Sequence, residues 1–65
     1  MWVVVYLANN EEIAYKLQEL FEANDVLVRL RTVESGEEGN ENYFEVTVPE
    51  HEVEKAHEII IQNGY

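Results

Sequence analysis

The hydrophobic positions along the chain change their spacing several times, and each change predicts an element. The first stretch, Trp2 to Leu7, is rich in valine and aromatic residues, which favour pleated strands. Its apolar side chains occupy both parities, as is typical of a strand that is covered on both faces. Alternation assigns two sets to opposite sides: Trp2, Val4 and Tyr6 away from the helices, and Val3, Val5 and Leu7 towards them.

Two segments show the period of an amphipathic helix. In the first, an apolar stripe runs from Ile13 to Phe21. Asn9 is its predicted N-cap, because a glutamate then follows at the third helical position, and Asn24-Asp25 ends it. The second helix begins near Glu50, runs to about Asn63 and stops at Gly64.

Two further segments alternate as strands do, Val26 to Val33 and Tyr43 to Val48, and Pro49 ends the second of them. If the apolar parity of each faces the helices, the other parity faces away. The side chains predicted to face away are Leu27, Arg29 and Arg31 on one strand and Tyr43, Glu45 and Thr47 on the other.

The predicted order is therefore β-α-β-β-α in a single α+β domain, residues 1–65. A right-handed crossover makes the first two strands parallel. A hairpin makes the third strand antiparallel to the second, and we expect it in the middle. The prediction is a three-stranded mixed sheet with both helices on one face, a ferredoxin-like split β-α-β fold that lacks its last strand.

The connection between the last two strands, residues 34–42, is acidic and contains two glycines. It lacks the lysine of a phosphate-binding loop and the flanking helices of an EF-hand. We expect a flexible, solvated hairpin connection that is the most mobile internal segment. Weak cation binding by its glutamates, Glu34, Glu37, Glu38 and Glu41, stays open as an alternative.

Net charge narrows the choice of partners. The chain carries a formal charge of −10 and no cysteine. The charge disfavours nucleic acid and anionic membranes, since both attract cationic proteins. The longest apolar run is too short to span a bilayer and lacks the basic flank of a signal peptide, so we expect a cytoplasmic location.

Chemistry-bearing residues are few. His51 and His57 are too far apart around a helix to bind one metal ion together, and Ser35 has no histidine near it in sequence. We therefore predict no catalytic, cofactor-binding or metal site.

The face of the sheet away from the helices is the informative surface. The candidate interaction face comprises Trp2, Val4, Tyr6, Leu27, Arg29, Arg31 and Tyr43. Such an aromatic and apolar patch is large for a monomer and indicates a contact surface. The first strand also has no charge or proline to protect its edge, and a fourth strand is missing beside it. We expect self-association, most simply as a homodimer, with an unknown protein partner as the other outcome.

Two segments carry a family resemblance: "VVVYLANNEEIAYKLQELFEANDVLVRLR" and "FEVTVPEHEVEKAHEII". Together they resemble a small bacterial domain family of unknown function, described as prokaryotic signal-transducing proteins. The resemblance implies no catalytic residues. The sequence thus predicts a non-enzymatic interaction or regulatory domain. The alternative is a small-molecule-sensing domain that binds an effector where subunits meet.

Overall fold

The computed structural model describes residues 1–34 and 42–65. Its elements are β1 (Trp2–Ala8), α1 (Glu11–Ala23), β2 (Arg29–Val33), β3 (Tyr43–Pro49) and α2 (Val53–Gln62), with a 3₁₀ turn at Glu50–Glu52 before α2. This confirms the predicted order β-α-β-β-α. The predicted flexible connection, 34–42, lies outside the described residues except for its two ends.

The three strands form one sheet in the order β1-β3-β2. The central position of β3 was predicted and is confirmed. The predicted mixed sheet is wrong, because β1 and β2 both pair with β3 in the antiparallel sense. The two outer strands do run parallel to each other, but β3 separates them, so every neighbouring pair is antiparallel.

Both helices pack on the same face of this sheet. Val46 and Val48 of β3 share one buried cluster with residues of both helices. The helical members of the cluster are Leu17 and Phe21 from α1 and Ala56, Ile59 and Ile60 from α2. Because residues two apart on a strand lie on the same side, Val46 and Val48 face the core and the alternate residues of β3 face away from the helices.

The N-terminus of α1 is capped one residue later than predicted. The side chain of Asn10, rather than Asn9, accepts a hydrogen bond from the backbone N–H of Ile13 at 2.9 Å. Ile13 then occupies the third helical position, so a capping box with Glu12 does not form. Glu12 instead pairs with Lys16 at 3.3 Å on the exposed side of the helix.

The C-terminus of α1 is closed by a Schellman motif. The N–H of Asp25 donates to the carbonyl of Glu22, and the N–H of Val26 donates to that of Phe21. Asp25 holds the left-handed conformation, with φ of 60°. Val26 is therefore turned into the core directly after the helix, and the regular ladder of β2 begins only at Arg29.

The C-terminus of α2 repeats this motif. The N–H of Gly64 donates to the carbonyl of Ile61, and that of Tyr65 donates to Ile60. Here the left-handed position, with φ of 79°, is held by Gly64. The ring of Tyr65 meets that of Tyr6 edge-on, with centroids 6.2 Å apart.

Candidate interaction face

The register of β2 and β3 places the predicted arginines on the sheet face opposite the helices. Arg29 lies opposite Thr47, and Arg31 lies opposite Glu45. Directly paired residues of antiparallel strands project to the same side. Thr47 and Glu45 have the parity opposite to the core residue Val46, so all four side chains belong to the face that no described helix covers.

A β-bulge in β1 changes which of its residues join that face. Val4 pairs with Thr47, but the next paired residue is Tyr6, opposite Val46, so Val5 is the extra residue. Tyr6 therefore packs against the core on the helix side. Its predicted orientation away from the helices is wrong, because strict alternation does not survive an inserted residue.

Leu7 instead lies on the side of the sheet that was predicted for Tyr6. It lies opposite Glu45 and is therefore on the same side as Arg31. We define the open face as the side chains on this side of the sheet together with Leu27, which leads into β2: Trp2, Val4, Leu7, Leu27, Arg29, Arg31, Val33, Tyr43, Glu45, Thr47 and Pro49.

Four apolar side chains of the open face are exposed to solvent. Their exposed fractions are 38% for Trp2, 44% for Val4, 56% for Leu7 and 64% for Leu27. Three of them lie on β1, and Leu27 lies just before β2, on the other side of the central strand. Large exposed apolar patches are typical of interaction sites, which makes this face the candidate surface.

The centre of the open face is a stack of Arg29 on Trp2. The guanidinium carbon lies 4.5 Å from the centroid of the indole ring, a cation–π geometry. Because Trp2 is on β1 and Arg29 is on β2, the stack crosses the central strand. It covers Thr47, which is only 8% exposed and whose hydroxyl donates to the carbonyl of Arg29 at 2.8 Å.

The second arginine is engaged differently. The Nε of Arg31 lies 2.8 Å from Oε1 of Glu45, its cross-strand neighbour. Arg31 is largely exposed, so this pair contributes at most about 1 kcal/mol to stability. Its greater effect is to neutralise Arg31, whereas Arg29 forms no ion pair with a carboxylate of the described residues.

A shallow depression lies at one end of the open face. Leu7, Asn9, Asn42 and Tyr43 contribute to its wall. Two amides and a phenol can each donate and accept hydrogen bonds, while Leu7 offers an apolar contact.

The free side of β1 is a second candidate surface. Among the described residues β1 pairs only with β3, so its other row of backbone donors and acceptors has no strand partner there. The bulge at Val5 bends and twists the strand locally, which makes it a poorer template for another strand. The open face is therefore the stronger candidate.

The other residues singled out by sequence form no site in the part of the chain that the structure describes. His51 lies 3.6 Å from Glu52, and His57 is exposed on α2. No group of three or more histidines and carboxylates able to hold a metal ion occurs within residues 1–34 and 42–65. The four glutamates of the acidic connection lie mostly outside that part.

None of the helices in the described ranges combines the length and the apolar character needed to cross a bilayer.

Neither a family model, a curated protein nor a solved structure matches this chain.

Sequence reasoning placed Leu7 on the wrong side of the sheet and did not predict that Thr47 is buried. Leu7 was assigned inward, because nothing in a run of apolar residues reveals where an extra residue enters the ladder. Thr47 was assigned to the correct side, but its burial under the Trp2–Arg29 stack depends on side chains from two strands that only the sheet order brings together.

Proposed function

We propose that this chain is a non-enzymatic interaction domain, acting in the cytoplasm, that binds another protein through its open face. The observation that supports it is the grouping of Trp2, Val4, Leu7 and Leu27 on one sheet face beside Arg29. Tryptophan and arginine are the residues most enriched at the energetic centres of protein interfaces. A regulatory setting would agree with the resemblance to bacterial signal-transducing domains.

Burial of these side chains would supply the affinity. Covering apolar surface contributes about 25 cal/mol per Å², so a few hundred Å² correspond to several kcal/mol before the costs of association. Two occupants fit an apolar face of this kind, namely a second copy of the chain, as the sequence favoured, and a different protein.

A photo-crosslinking experiment tests the proposal. The photoreactive amino acid p-benzoylphenylalanine is placed at Leu27 on the open face and, as a matched control, at Tyr15, an exposed aromatic on α1. In cells of the native host we expect a discrete crosslinked product from position 27 and none from position 15. A product of twice the chain mass identifies a second copy, and any other product is identified by mass spectrometry.

The partner identified by crosslinking is then purified, and its binding to variants of the chain is measured directly. Val4→Lys places a charge among the apolar residues of the open face and should weaken binding at least tenfold. Tyr15→Lys adds the same charge on the opposite side of the molecule and should leave binding unchanged. Equal weakening by both variants, or crosslinking from position 15 alone, would rule the open face out.

The second candidate function is sensing of a small molecule. It is favoured by the depression to which Asn9, Asn42 and Tyr43 contribute polar groups. Ferredoxin-like domains, of which we propose this chain to be a shortened version, often bind effectors where subunits meet, but fold likeness alone is weak support. A thermal-shift screen of metabolites separates the two functions, because a sensor gains stability with one compound class and a protein-contact domain does not.

A further inference from the structure

Charge is distributed unevenly between the two sides of the molecule. The three strands contain Arg29, Arg31 and Glu45 as their only charged residues, a net charge of +1. Because the net charge of the whole chain is −10, the residues outside the strands carry −11. The described acidic residues outside the strands lie in or beside the helices, at the 3₁₀ turn and at Glu34. The open face is thus a slightly basic and apolar surface on an otherwise acidic chain.

Arg29 carries the positive charge of that surface. Arg31 is balanced by Glu45, whereas Arg29 makes no ion pair with a carboxylate of residues 1–34 or 42–65. Its guanidinium carbon lies over the Trp2 ring, 4.5 Å from the centroid, and this contact positions the group without using its N–H donors. A planar guanidinium held in this way is preorganised to bind a carboxylate in a bidentate geometry.

The size of the open face indicates how much of a partner it can hold. The three strands lie about 4.8 Å apart, and the two longer ones contain seven residues, each of which rises about 3.3 Å. These dimensions give a surface roughly 10–15 Å wide and 20 Å long. A single α-helix is about 10–12 Å in diameter with its side chains. A stable interface between two globular proteins needs about 800 Å² from each partner, more than the open face presents. One helix fits this face better than a second globular surface does.

A second copy of the chain is also a poor match in charge. If two open faces packed together, the Arg29 side chain of each copy would meet the basic surface of the other. The one carboxylate of that surface, Glu45, is already bound to Arg31. Packing the open face on the acidic helices of another copy would match charges, but that contact is head-to-tail and does not close into a dimer.

We propose that the open face binds an acidic amphipathic helix of a different protein, with Arg29, stacked on Trp2, donating to a carboxylate of that helix. Val4, Leu7 and Leu27 contact the apolar stripe of the helix. This inference rests on the proposed function, since it names the chemistry of the partner that the open face takes. The repulsion from the acidic helices is reduced because they lie on the other side of the sheet, and salt screens exposed charges beyond a Debye length of about 8 Å at physiological ionic strength.

Selection from a peptide library tests the proposal. The full chain is immobilised at about 0.15 M salt, the physiological ionic strength, and used to select from phage-displayed random 16-residue peptides. We expect the enriched peptides to combine leucine-like residues at helical spacing with an excess of aspartate and glutamate. The leading peptide is then synthesised, and its amide shift perturbations on the labelled chain should map to β1, β3 and β2 rather than to α1.

Variants of the chain then isolate the role of Arg29. Arg29→Gln should weaken binding of the leading peptide about tenfold, which corresponds to about 1.4 kcal/mol. Arg29→Lys keeps the charge but loses the planar stack, and we expect it to recover only part of the affinity. Lys16→Gln removes an equal charge from α1 and should have no effect. Arg29→Glu should bind the leading peptide weakly, and a peptide in which lysine replaces the contacting acidic residue should restore the affinity.

The outcomes separate this inference from the proposed function. Enriched peptides that are neutral or basic, yet still map to the open face, would overturn the acidic helix and leave the interaction domain standing. Peptides that map to α1 and α2, or no enrichment, would overturn both. Sedimentation equilibrium adds one outcome. A dimer with a Kd below about 100 μM that Val4→Lys dissociates would assign the open face to a second copy.

Discussion

At the scale of single residues, the two helix ends form a natural comparison. Each closes with an asparagine whose side-chain amide donates to the carbonyl four residues earlier, Asn24 to Leu20 and Asn63 to Ile59. Each continues with a residue of positive φ. That residue is Gly64 after α2, where the conformation is free of steric cost, and Asp25 after α1, where a Cβ atom opposes it.

Asp25→Gly should therefore stabilise the protein. It relieves the left-handed strain and removes a negative charge from the negative end of the helix dipole, for a gain of about 0.5–1 kcal/mol in the free energy of unfolding. The reciprocal change, Gly64→Ala, should lower it by about 1 kcal/mol, since a Cβ there contacts nothing and only the backbone conformation is penalised. Urea denaturation of both variants measures this. Equal effects of the same sign would contradict the assignment of strain to Asp25.

At the scale of elements, β1 shows what the sequence could and could not predict. The periods of the helices and of β3 were sufficient to place the elements, the core stripes and the central strand. In β1 both parities are apolar, so a one-residue bulge leaves no trace in the pattern, and Tyr6 and Leu7 were assigned to the wrong sides. The same limit applies to the start of β2, because the turn after α1 uses Val26 in the core before the ladder begins.

The bulged register and a strictly alternating register make opposite predictions for truncation of Tyr6 and of Leu7. Tyr6→Ala should lower the free energy of unfolding by about 2 kcal/mol or more, because Tyr6 packs on the core and on Tyr65. Leu7→Ala should change it by no more than about 0.5 kcal/mol, as for other exposed positions. Chemical denaturation of the two variants decides between the registers. A larger loss for Leu7→Ala would mean that β1 continues without a bulge.

At the scale of the whole molecule, the dominant feature is the separation of acidic helices from a weakly basic sheet face. Like charges crowded on one layer oppose the compact state, and the opposition depends on salt. The burial of Thr47 under the Trp2–Arg29 stack belongs to this scale too, since three strands must come together to produce it. No pattern within one segment could have predicted it.

Stability should accordingly rise with ionic strength. Between about 0.01 and 0.1 M salt the Debye length falls from about 30 to 10 Å, so repulsion among the helical carboxylates is screened. We expect the melting temperature to increase by several degrees, since about 1 kcal/mol shifts it by roughly 4–8 °C in a domain of this size. The double variant Glu22→Gln, Glu58→Gln removes two of these charges and should show a smaller increase. A melting temperature that falls with salt would show that attractive pairs dominate instead.

The stack on the open face also has a spectroscopic consequence. Trp2 is the only tryptophan of the chain, so the indole fluorescence of the protein originates entirely from the surface proposed to bind its partner. At 38% exposure the ring is in contact with solvent, and a partner that covers it should shift its emission to shorter wavelength. The unlabelled protein therefore carries its own optical probe of occupancy, which allows titration of any partner that itself lacks tryptophan.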